Sequence, residues 1–299
     1  MTHLMDLPSL RMHWREHGRQ SDEPAALLLH GWPQTSACWD ELAPLLADGR
    51  RLIAPDLRGY DLTDKPTEGY TKRRMAADVV ELLDHLGLER VHLVGHDRGA
   101  RVGHRFALDH PERLHTLTVL DIAPTHAMFG GTTRTAAGYF HWLFHMQDDL
   151  PELLTSGREE QYLRYFFQRW TFRRDLLEPK IPEYVRAFRQ PGAMRAGFDD
   201  YRATWEDVAH DEQDLQAGHV VEVPTLALWG AQGLASQVAV DELWRPYVGT
   251  GPQGEDLLEA RPVEDCGHFI PEERPERLAS ELAEFWSRCS QQQAPSGLS

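Results

Sequence analysis

A chain of 299 residues, 41% hydrophobic and 26% charged, is long enough for one large α/β core with an insertion and has the composition of an ordinary globule. Its net charge of −16 argues against nucleic acid or an anionic membrane as a partner, and no apolar run approaches the length of a membrane-spanning helix. Cys38, Cys266 and Cys289 form neither a disulfide framework nor a metal cluster, and the N-terminus lacks the pattern of a signal peptide, so a reducing, cytoplasmic location is expected.

Leu10 to Glu16 and Ala25 to His30 read as two early strands. The second runs into His30-Gly31-Trp32-Pro33, which taken alone is a Gly-Pro turn. Arg51 to Pro55 is another short apolar strand. Thr71 to Leu86 places Met75, Val79, Leu82, Leu83 and Leu86 at helical spacing and is closed by Gly87. This alternation of strand and helix predicts a parallel, doubly wound sheet.

Val91 to Val94 is a buried-strand run that turns sharply through Gly95-His96-Asp97-Arg98-Gly99 into a helix-like run, Ala100 to Asp109. This is a nucleophile elbow in which Asp97 stands where a serine is usual. A serine attacking a saturated carbon would leave an ether. A carboxylate leaves an ester, which an activated water can cleave, so the replacement suits carbon–halogen or epoxide opening. The pentapeptide alone also reads as a charged turn at a helix N-cap. Arg98 and Arg101 weigh against that: they share one helix face, in the first turn, where the macrodipole disfavours cations. Two guanidiniums there make a site for a small carboxylate.

The run Gly95 to Arg101 resembles the nucleophile motif of haloacetate dehalogenases of the fluoroacetate dehalogenase type, in the α/β-hydrolase superfamily. The resemblance implies an α/β-hydrolase core, residues 1–123 and 224–290, with a helical cap, 124–223. It also implies that the amides of Trp32, in the His30-Gly31-Trp32-Pro33 turn, and of Arg98 form an oxyanion hole.

Leu114 to Ile122 is the next strand, and Asp121 lies at its C-terminal, functional end. The loop after the later strand Pro224 to Trp229, Gly230 to Ala235, is where many α/β hydrolases carry the triad acid, and here it has none. Asp121 is therefore the candidate for orienting the histidine, as the resemblance also implies; a strand-end turn aspartate is the plainer alternative. Within the cap, helices are expected near Thr135 to His145, Glu159 to Thr171 and Pro182 to Phe188. By resemblance His141, Trp142 and Tyr201 would donate hydrogen bonds to a leaving halide; otherwise Trp142 and Tyr201 read as cap core. His141 and His145 are spaced to share a metal, but no third ligand is evident and no metal site is expected. A helix near Ser236 to Tyr247 and a strand near Leu257 to Val263 follow. In the superfamily a Gly-His-Phe turn before the final helix holds the catalytic histidine, here His268, and the helix spans about Glu272 to Trp286. The tail 291–299 is expected to be disordered.

The expected activity is cofactor-free hydrolysis of a small anionic halocarboxylate, with no nucleic-acid or membrane partner. The aromatic cap could pair two chains into a homodimer. An epoxide hydrolase shares the aspartate and histidine and needs acidic cap groups, usually two tyrosines, for which Tyr139, Tyr162, Tyr165, Tyr184 and Tyr201 are available. A binding protein on a hydrolase scaffold is the alternative of another class.

Overall fold

The computed structural model describes residues 1–47 and 49–293. Eight strands, β1 (Thr2–Asp6), β2 (Arg11–His17), β3 (Ala26–Leu29), β4 (Leu52–Pro55), β5 (Val91–His96), β6 (Leu114–Leu120), β7 (Thr225–Gly230) and β8 (Leu258–Val263), form one sheet. Their order is β1-β2-β4-β3-β5-β6-β7-β8. The β1–β2 and β2–β4 pairs are antiparallel and all the others parallel. Every residue of β3, β4 and β5 is buried, as unbroken apolar runs require when helices cover both faces. β1 was not foreseen: it is a short edge strand, mostly exposed, with no apolar alternation to betray it.

From β3 the winding runs outward to β4, then reverses to β5 on the other side. The C-terminal ends of β3 and β5 therefore flank a topological switch point, where open α/β sheets bind ligands. Register pairs Leu29 with Gly95, so the residues after each strand emerge side by side. The helix Lys72–His85 starts where Thr71 caps it, its hydroxyl accepting from the Arg74 amide, and buries Met75, Val79, Leu82 and Leu83.

Between β6 and β7 the described residues form a succession of helices, among them Phe140–His145, Glu159–Trp170 and Ile181–Phe188 near the expected positions. Ala193–Arg202 and Thr204–Ala217 were not foreseen. The second buries Thr204, Asp207 and Asp211 in place of an apolar stripe, so no hydrophobic period marks it. These helices and the sheet share one hydrophobic cluster. Trp32 bolts them together, its ring centred 4.8 Å from His145 and 5.0 Å from Phe166.

The final helix, Pro275–Gln293, runs further than expected and takes in the first part of the supposed tail; positions 294–299 lie outside the described residues. No described helix is long and apolar enough to cross a membrane.

Candidate active site

Asp97 turns the chain from β5 into the helix Arg98–Asp109 with φ 47° and ψ −114°, a sparsely populated conformation for any residue with a Cβ. The turn is tight: a Cβ at Gly99 would stand 2.3 Å from the Leu29 carbonyl oxygen, and one at Gly31 only 2.4 Å from the Asp97 Cβ. Asp97 occupies the N-cap position yet makes no side-chain cap bond, which removes the plain N-cap reading. Its carboxylate faces the β3 turn instead, where Oδ1 accepts from the Trp32 amide at 2.9 Å. Arg98, whose amide was expected to complete an oxyanion hole, is the first residue of the helix.

His268 comes from the loop before the last helices. Its Nδ1 lies 2.6 Å from Asp121 Oδ2, and its Nε2 lies 3.9 Å from Asp97 Oδ2 with no hydrogen-bond partner. The other Asp121 oxygen accepts from the Gly230 amide at 2.9 Å, so the last residue of β7 holds in place the aspartate that follows β6. Burial opposes the charged form of Asp97, but His268, His96, Arg98 and Arg101 outweigh it and hold the carboxyl below its ordinary value. Burial likewise opposes a charged His268, and the hydrogen bond and charge of Asp121, with Asp97 and Glu273, reverse the balance and raise its pKa.

The two arginines are both buried, and the structure narrows what each can offer. Arg98 gives Nε (3.2 Å) and Nη2 (2.7 Å) to Asp200 Oδ1 and a further Nη2 bond to the Asp200 carbonyl; Nη1 is left buried and unpartnered. Arg101 donates through Nη1 to the Ala123 carbonyl and the Thr125 hydroxyl, both at 3.0 Å, while its Nε is unpartnered. Neither fork is wholly free. Trp142 lies under both cations, 4.5 Å from the Arg101 guanidinium carbon and 5.9 Å from that of Arg98; Tyr201 lies 4.4 Å from the latter.

From the cap side, His141 Nδ1 and the Tyr201 hydroxyl are buried without partners, and their rings are centred 5.7 Å apart. Burial, then neighbouring His145, pushes His141 well below its ordinary pKa, so the imidazole is neutral. The ring of Trp170 links the halves, 4.8 Å from His141 and 5.3 Å from His268.

Residues 24–275 match the family model for the alpha/beta hydrolase fold. The chain belongs to this family. It is similar to a fluoroacetate dehalogenase from Burkholderia sp, 38% identical over 88% of this chain and 87% of that protein. It is also similar to a soluble epoxide hydrolase from Corynebacterium sp. (strain C12), 32% identical over 95% of this chain and 96% of that one. Among solved structures, Cfl2 from Burkholderia cenocepacia superposes with a TM-score of 0.86 at 33% identity, covering 95% of both chains. The protein is a hydrolase of the α/β fold whose relatives include a fluoroacetate dehalogenase and epoxide hydrolases.

Several residues around this hydrolase site escaped sequence reasoning. Asp200 is one; besides Arg98 it holds the Lys72 ammonium and accepts from the Tyr60 hydroxyl at 2.8 Å. Glu273 is another: fully buried, it accepts from the amides of Gly267 and Phe269 on the histidine loop and of Phe172 and Arg173 on the cap. His96, between Gly95 and Asp97, places Nε2 2.8 Å from the His268 carbonyl oxygen and Nδ1 2.9 Å from Gln34 Oε1. Gln34 in turn bonds Glu272, whose carboxyl burial pushes up to about 8. These contacts join residues far apart in the chain, and no local motif announces them.

Proposed function

We propose that this hydrolase removes halide from small 2-halocarboxylates, haloacetates in the first place, through an aspartyl ester. The substrate carboxylate docks on Arg98 Nη1 and Arg101 Nε, one N–H from each cation. Asp97 Oδ2, ionised at neutral pH, attacks the neighbouring carbon in line as the halide departs toward His141, Trp142 and Tyr201. Neutral donors suit a fluoride ion, which gains acceptor strength as charge develops on it. His268 then takes a proton from a water that attacks the Asp97 carboxyl carbon. The gap of 3.9 Å between Nε2 and Oδ2 is too long for direct proton exchange and leaves Nε2 aimed at the reacting group. Asp121 fixes the imidazole tautomer, and the amides of Trp32 and Arg98 receive the developing oxyanion. Protonated His268 returns its proton to the glycolate oxygen as that oxygen's bond to the Asp97 carboxyl carbon breaks. Glycolate leaves, Asp97 sheds the water's second proton to solvent and is a carboxylate again, and the scheme requires no cofactor.

The observation that carries this reading is the pair of unpartnered guanidinium N–H groups beside a carboxylate nucleophile. A buried, unsatisfied cation donor is costly unless an anion visits it. A cavity of about 680 Å³ beside the site is lined by Trp170 and Gly233, neighbours of His268 and Asp121, and by Arg169 and Arg174.

Epoxide opening is the second reading, and the unpartnered Tyr201 hydroxyl favours it, since an alkoxide leaving group needs an acid. The other candidate tyrosines support it less. Tyr162 is engaged with His145 and Tyr184 with Glu272, while Tyr165 is exposed, leaving only Tyr139 as a second acid. Halide release from fluoroacetate and chloroacetate, assayed beside the opening of a simple uncharged epoxide, separates the two. Epoxide turnover without halide release would overturn the dehalogenase reading.

A further inference from the structure

We infer that Lys72, a buried lysine in contact with none of the proposed reacting groups, sets the charge of the carboxylate site and so selects anionic over neutral substrates. The inference rests on the haloacetate reading above. Arg98 spends two N–H groups on the Asp200 carboxylate, and an arginine neutralised in this way has little attraction left for a second anion. Lys72 changes that balance. Its ammonium also donates to Asp200 Oδ1, and it lies 3.3 Å from the Tyr70 carbonyl oxygen and 3.7 Å from Asp207 Oδ2. Its three hydrogen-bond partners are Asp200 Oδ1, the Tyr70 carbonyl and the Met75 sulfur at 3.7 Å. Burial, then Arg98, lowers its pKa, and the charges of Asp200 and Asp207 oppose that shift.

One carboxylate shared by two cations leaves Arg98 with positive charge to offer. Arg101 adds its own, since its partners in the structure are a carbonyl and a hydroxyl. Asp207 and Asp97 are the other acids near these cations; burial raises the pKa of Asp207, whose Oδ1 accepts from the Lys72 amide at 2.7 Å, and Asp97 is the group the substrate must approach. Lys72 opens the helix Lys72–His85 just as Arg98 opens Arg98–Asp109. Both cations thus sit at helix N-termini, where the macrodipole opposes them, and both converge on Asp200. A buried cation in that position needs a return, and here the return is a locally positive pocket in a chain of net charge −16.

The test is the binding of acetate, with acetamide as its neutral isostere, measured by titration calorimetry on wild type, Lys72→Met and Lys72→Met/Asp200→Asn. Acetate affinity should fall on the order of tenfold or more in Lys72→Met, acetamide binding should be unchanged, and the double variant should recover to within about threefold of wild type. A purely structural role predicts no recovery, because the double variant removes more contacts. Should Lys72→Met not fold, Asp200→Asn alone decides: with both cations uncompensated it should bind acetate more tightly than wild type, whereas a structural cluster would bind it more weakly. Acetate affinity indifferent to Lys72, or a double variant as weak as the single, overturns the inference while halide release by wild type keeps the haloacetate reading. Wild type that binds acetate in the predicted pattern but releases no halide overturns that reading instead.

Discussion

The sheet side of the site is built by backbone, the cap side by side-chain burial. Asp97, Trp32 and Asp121 owe their positions to strand register, positive φ at Asp97 and Asp121, and glycines with no room for a Cβ. His141, Trp142 and Tyr201 stand on short helices whose placement depends on aromatic packing around Trp32 and Phe166. Preorganised backbone should make the sheet side all-or-none, since no neighbouring group can take over a strained turn. The cap side offers several donors at once, so changes there should be graded and should depend on the leaving group.

The largest effect is expected on the sheet side. His268→Ala should lower turnover by about three to four orders of magnitude and leave the ester intact, seen as a mass increase on the whole protein after incubation with substrate. Turnover near that of wild type would place the base elsewhere. Arg101→Met, at the boundary of the two regions, should lower kcat/KM for fluoroacetate by about ten- to a hundredfold, the loss of one charge-assisted hydrogen bond. Part of the cost should show as a lower Tm, because the Ala123 carbonyl and Thr125 lose their donor as well. Arg101→Lys should recover only a fraction, lacking the planar fork. An unchanged kcat/KM in Arg101→Met would move the epoxide reading ahead.

On the cap side, Tyr201→Phe should cost about three- to tenfold for fluoroacetate and less for bromoacetate, because bromide needs less hydrogen bonding as it leaves. Equal losses for both would assign Tyr201 to packing, and a total loss would deny that the cap donors share the work.

Legibility in the sequence follows the same division. The elbow was readable because tight turns restrict residue type locally: glycines at 95 and 99 around an aspartate admit few conformations. The juxtaposition of Asp121 and His268 was reachable from a Gly230–Ala235 loop without an acid together with the resemblance, which implies His268 in the Gly-His-Phe turn. The helix Lys72–His85 announced itself by its apolar stripe and the Gly87 that closes it. By contrast, Asp200, Lys72 and Tyr60 meet only after the insertion folds back over the sheet. Thr204–Ala217 hides because it turns acids inward. The arginines were visible as a pair, but the claim of Asp200 on Arg98 was not, since nothing local signals a partner 102 positions away.

The smallest effect stays within the sheet side and concerns how Asp121 and Asp97 share the charge of His268. Its raised pKa means that proton acceptance fails as pH falls through a value above the ordinary 6.5. For stability the sign is opposite: protonated His268 is a favourable contact, fully present below the unfolded value of 6.5 and lost as pH rises through the raised folded value. Asp121 supplies most of the upward shift, and Asp97 adds to it. In the ester intermediate proposed above, Asp97 would carry no charge, so its contribution would disappear at the step assigned to the base. Asp97→Asn imitates that neutrality. Imidazole NMR should show the His268 pKa lower in Asp97→Asn than in wild type, since Asp97 is one of the charges that raise it. The pH profile of ester breakdown in single turnover should follow the lower value. The base is then neutral over a wider range of pH once the ester has formed than before it. Identical titrations in wild type and Asp97→Asn would mean that Asp121 alone sets the base, and that the 3.9 Å approach to the nucleophile has no electrostatic consequence.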